Sequence, residues 1–114
     1  MIVKKADRKT LQASSTTIVY EYPFPDKDLS MAIITINGRY PDKGRTLNEK
    51  SKEIIYVISG SGKVLIEDEV FEVSEGDQVF VPNNVKFHYR DCKNMTVAVP
   101  TTPAFDPAQH KFVD

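Results

Sequence analysis

Short runs of β-branched and aromatic residues recur along this chain, and clusters of Gly, Pro, Asn and Asp separate them. The runs are Thr17–Tyr22, Met31–Ile36, Ile54–Ser59, Lys63–Glu67, Val70–Val73, Gln78–Val81, Lys86–Arg90 and Met95–Pro100. No stretch carries a long helical period, so the spacing predicts an all-β sandwich or barrel.

Turn chemistry supports the strand pattern. Ser59-Gly-Ser-Gly62 and Glu67-Asp-Glu69 each separate two strand-like runs by a hairpin-sized gap, which predicts a meander of antiparallel neighbours. Turn residues crowd together in 37–44, which reads as a loop, and the tail Pro100–Pro107 reads as an extended segment lying over the barrel. Ile54-Ile-Tyr-Val-Ile58 is apolar at every position, so both faces of that strand are expected to be covered. One face covers the interior, and the other is expected to meet the N-terminal strands or a second copy in a homodimer. Lys86–Arg90 alternates, which puts Phe87 and Tyr89 on the inner face and turns His88 out to water.

Composition excludes several classes of function. The 114 residues carry 15 basic and 16 acidic side chains, well mixed, for a net charge of -1. A phosphate backbone would meet no basic footprint, so nucleic acid is not an expected partner. The lone Cys92 leaves no disulfide framework and suits a reducing cytoplasm. No apolar stretch approaches the roughly 20 residues that would cross a bilayer, so no membrane partner is expected.

Two segments, Glu53-Ile-Ile-Tyr-Val-Ile-Ser-Gly60 and Gly76-Asp-Gln-Val-Phe-Val-Pro82, carry a family resemblance. Together they resemble the two signature segments of the cupin family, over about residues 31–105 of a single domain spanning 1–114. The resemblance implies a double-stranded β-helix, the jelly-roll barrel of that family. Family members usually hold a metal with three histidines and a glutamate. Setting Glu53 on the family glutamate puts Thr46, Asn48 and Phe87 where the histidines would stand.

That set implies no metal and no cofactor, because one good ligand in four is too few. A register slip would instead gather Glu49, Glu53 and His88, a trio formally like a non-haem iron site. It would also turn Phe87 and Tyr89 outward and bury Lys86 and Arg90, which is costly.

By the same alignment Thr46, Asn48 and Glu53 face the barrel mouth beside Phe87 and Tyr89, a polar cup on an apolar floor suited to a small polar ligand. Glu53 has two readings. A carboxyl in an apolar barrel has its pKa raised and can serve as a general acid or base; alternatively, Thr46 and Asn48 satisfy it by hydrogen bonds. The second is preferred here because no other titratable group is evident to complete a pair. Cys92 reads as part of a polar turn, and His110 as a solvated tail residue that lines a pocket only if the tail folds back.

The leading expectation is a metal-independent barrel that binds a small molecule. The alternatives are a metal-free isomerase or lyase with Glu53 as base, a divergent metal-dependent oxygenase, and a structural or oligomerising module with a vestigial pocket.

Overall fold

The computed structural model describes residues 1–114 as nine strands and two short 3-10 turns, Lys5–Asp7 and Pro107–Gln109. The strands are β1 (Lys9–Gln12), β2 (Thr17–Tyr22), β3 (Ser30–Tyr40), β4 (Arg45–Asn48), β5 (Lys52–Ile66), β6 (Glu69–Ser74), β7 (Gln78–Val81), β8 (Phe87–Thr102) and β9 (His110–Val113). All pairings are antiparallel. The sheet runs β1-β2-β3-β8-β4-β9, and β5 lies against β8 with β6 and β7 along its other edge. The sheet curls into a jelly-roll barrel, so the expected simple meander gives way to long-range pairing such as β3 with β8.

Cross-strand ladders decide what faces inward. Val19, Ile34, Val97 and Val57 line up across four strands and point into the barrel. The next rung, Tyr20, Ile33, Ala98 and Tyr56, points out. Ile36, Ile55, Val57, Val64, Val81, Met95 and Val97 form the centre of the core, each 1% exposed or less. The outer face of β5 is not covered: Tyr56 and Ile58 are 43% and 41% exposed, and β1 and β2 continue the sheet beyond β3 instead of folding over it.

Several expected turns are bends within long strands. Ser59–Gly62 is not a hairpin, because β5 passes straight through it with register shifts against β8 at each step. The glycines serve close approach: a Cβ on Gly60 would run into the Lys93 and Asn94 carbonyls, and one on Gly62 would stand 2.6 Å from Cys92 Sγ. Likewise Arg90–Asn94 is no turn. Asp91 and Asn94 adopt positive φ, 53° and 44°, and let β8 bend without breaking. The expected loop at 37–44 is strand as far as Tyr40, with bulges around Gly38. Only Glu67-Asp68 acts as the hairpin foreseen, joining β5 to β6.

Candidate functional site

The barrel holds a cavity of about 800 Å3. Three cross-strand pairs contribute to its lining. Glu53 on β5 lies opposite Thr101 on β8, Tyr89 on β8 opposite Tyr40 on β3, and Thr46 on β4 opposite Phe87 on β8; all six line the cavity. Phe87 and Tyr89 sit edge to face at 6.3 Å.

Asn48 does not line the cavity; it anchors the chain's tail. The tail folds back after Pro103, and β9 pairs with β4 so that Asn48 faces His110. Asn48 Oδ1 accepts hydrogen bonds from His110 Nδ1 at 2.8 Å and from Gln109 Nε2 at 3.0 Å. Gln109, itself buried, accepts at Oε1 from the Lys50 and Ser51 amides, both at 3.0 Å. His110 is therefore not a solvated tail residue. It is half-buried in the cavity wall between Phe105 and Phe112, with ring centroids 5.5 and 5.3 Å away. Sequence reasoning passed over Gln109 and read His110 as solvated. A signal was present in Asp106-Pro107, an N-cap residue followed by a helix-starting proline, and the Asp106 carboxylate does accept from the Ala108 amide.

The electrostatics of the cavity separate two groups. Burial pushes the Glu53 carboxyl up to about 7, so both of its forms are populated near neutrality. Neither Thr46 nor Asn48 donates to it: the Thr46 hydroxyl donates to the Phe87 carbonyl at 3.3 Å, and Asn48, held by the tail through Oδ1, makes no hydrogen bond to Glu53. Burial lowers the pKa of His110, which keeps the ring neutral. Because Asn48 Oδ1 can only accept, Nδ1 carries the proton and Nε2 keeps its lone pair. Burial first, and then nearby Glu53, keep the Tyr89 hydroxyl protonated.

The remaining candidates lie elsewhere. Glu49 is exposed, with Lys111 Nζ 3.9 Å away. His88 is turned away from the cavity but does not face water as expected; it is 9% exposed and its Nδ1 is buried with no hydrogen-bond partner. Cys92 is buried inside β8, and burial raises its thiol to about 11, which leaves it a poor nucleophile.

A protein-family model for the cupin domain matches residues 33–99. The chain is a cupin. No curated protein matches its sequence. Among solved structures, Pac13, a nucleoside dehydratase, superposes with a TM-score of 0.86 at 18% identity, covering 100% of this chain and 93% of its own. A Streptomyces Pac13 variant with uridine gives a TM-score of 0.87, 18% identity and coverage of 99% and 90%. KdgF from Halomonas sp. gives 0.76, 16% identity and coverage of 95% and 97%. The polyketide cyclase RemF from Streptomyces resistomycificus gives 0.72, 18% identity and coverage of 100% and 85%. Likeness at this identity is a likeness of fold.

The residues of this cupin do not fit the metal its family usually holds. Of the four family positions only Glu53 offers a ligand; Thr46 and Asn48 are engaged in the hydrogen bonds above and Phe87 is packed in the core. Nowhere do three or more His, Cys, Asp or Glu side chains converge on one point. The trio Glu49, Glu53 and His88 is dispersed, so the oxygenase alternative loses its ligand set.

Proposed function

We propose that this cupin binds a small, ring-bearing polar molecule in the barrel and acts on it without a metal, as a lyase or isomerase. One observation carries this reading: Glu53 and His110 line a single cavity while burial drives their pKa values in opposite directions from the ordinary ones. Such a split assigns acid and base roles. The sequence alone offers Glu53 as a base, but with His110 present the better assignment reverses it. Neutral His110 takes a proton from carbon at Nε2, and Glu53, about half protonated near pH 7 and more so below it, delivers one.

In an elimination, the C–H pair becomes a double bond, the C–O bond breaks, and Glu53 protonates the departing hydroxyl as water. In an isomerisation the proton returns to a neighbouring carbon. The Tyr89 hydroxyl is available as a hydrogen-bond donor, and Phe24, Phe87 and Phe105 offer ring faces. The fold likeness to a nucleoside dehydratase, solved with uridine, makes nucleosides the first compounds to test.

The test is a thermal-shift screen of nucleosides, sugars and small amides, followed by mass spectrometry of any ligand that raises the melting temperature. Glu53→Gln and His110→Gln should each keep binding and lower turnover by about 10²–10⁴-fold. Undiminished turnover in either variant rejects the pair.

The apolar outer face of β5 and β7 supports the expectation of a homodimer. Tyr56, Ile58 and Phe80 stand exposed together there on adjacent strands.

A further inference from the structure

The charge of the cavity differs from that of the chain. Three acidic side chains line it, Glu21, Asp26 and the partly protonated Glu53, but none of the chain's 15 Lys and Arg residues does. Overall the chain is nearly balanced, with 15 basic against 16 acidic side chains, so the excess is local.

Strand alternation produces it. Thr46 faces in and Arg45 faces out, where its Nε donates to the Asp114 carbonyl at 2.9 Å. His110 and Phe112 face in, and Lys111 between them turns out toward Glu49. No cation lines the cavity: Lys9, opposite Glu21 on β1, and Arg8, which donates to the Tyr22 hydroxyl at 3.4 Å, stay outside the lining, His110 is neutral, and Asp26 Oδ1 accepts only from the Asp28 amide, at 3.0 Å. Glu21 is half-buried and Asp26 exposed, so an entering ligand passes both.

We infer that the cavity selects against anions: it admits a nucleoside or other uncharged ring-bearing polyol and rejects the phosphate ester of the same compound. This rests on the reading of the cavity as the substrate site. A phosphate entering it would shed hydration with no guanidinium, ammonium or helix N-terminus to replace the water, and would meet like charge. A hydroxyl loses little, because it can donate to the same carboxylates while the ring packs on Phe24 or Phe105.

Uridine and uridine 5′-monophosphate differ by the phosphate alone and serve as the probe pair, titrated calorimetrically into the wild-type protein at fixed ionic strength. Uridine should bind at least about ten-fold more tightly, and added salt should narrow the ratio by screening. The double variant Glu21→Gln, Asp26→Asn should narrow it as well. Equal or tighter binding of the monophosphate overturns the inference, and so does failure of both probes to bind. NMR titration of the Glu53 carboxyl and the His110 ring separates this result from the acid–base reading. If uridine binds selectively but leaves both titrations unmoved, the charge selectivity stands and the catalytic pair falls.

Discussion

Asn48 and His110 face each other across the β4–β9 ladder, and a 2.8 Å hydrogen bond from His110 Nδ1 to Asn48 Oδ1 sets which imidazole nitrogen is free. The same oxygen holds the Gln109 amide, so one side chain both fastens the tail and sets the tautomer. Asn48→Leu should cost about 1–3 kcal/mol, because the buried Gln109 donor is left unpaired. Urea unfolding measures the cost, and proteolysis should show a loosened tail. Asn48→Asp keeps the acceptor and adds a negative charge, so the His110 pKa should rise in NMR titration; an unchanged value would mean the pair is not coupled.

Glu53 makes stability depend on pH with a definite sign. Its carboxyl lies at about 7 in the fold against 4.5 ordinarily, so the native state holds the proton more tightly than the unfolded chain. The cost is absent below about 4.5, grows as pH rises, and is complete above about 7, where it is on the order of 3 kcal/mol. Glu53→Gln should therefore melt several degrees above the wild type near pH 8 and close to it near pH 4.5. A difference that does not change with pH would contradict the raised value.

His88 acts in the opposite direction. Burial first, then Arg39, Arg90 and Arg45, lower its pKa, so the unfolded chain binds the proton more tightly. Its contribution is intact above the ordinary value of 6.5 and is lost as pH falls below it. Since His88 Nδ1 has no partner, His88→Phe sacrifices no bond at that atom and should flatten the acid side of the melting-temperature profile. A steeper acid side would refute this.

Two glycines separate strain from collision. Gly76 has φ +90° and open space for 4 Å around the point where a methyl group would stand, so Gly76→Ala should cost only about 1–2 kcal/mol of left-handed strain. Gly60, at φ +79°, would add a collision with two backbone carbonyls, and Gly60→Ala should cost about 3 kcal/mol or more. Equal losses in denaturant melts would show that β5 and β8 do not approach closely there.

For the homodimer, Tyr56→Lys combined with Ile58→Lys should convert a dimer into a monomer in analytical ultracentrifugation. A wild-type protein that sediments as a monomer would refute the second copy on this face.

Local pattern was enough to reveal strand type and much of the cavity wall. The alternation Phe87-His88-Tyr89 determines which side chains share a face, because that depends only on the two-residue period of a strand, and family spacing placed Thr46 and Glu53 at the mouth. Both pairs line the cavity. Where strands end was not legible around Ser59–Gly62 and Arg90–Asn94, since Gly, Asp and Asn serve a turn and a bulge equally well. Only the pairing of β5 with β8 decides between them.

The tail lay further out of reach. Ala-Gln-His-Lys is polar and aperiodic, and its partner Asn48 is 62 residues away, a separation that no local pattern encodes. Sequence by itself determined the barrel and the absence of the family's histidines from its metal positions, because both follow from residue identity and spacing. Tertiary structure alone decided that a second titratable group joins Glu53, because that pairing exists only once β9 has closed against β4.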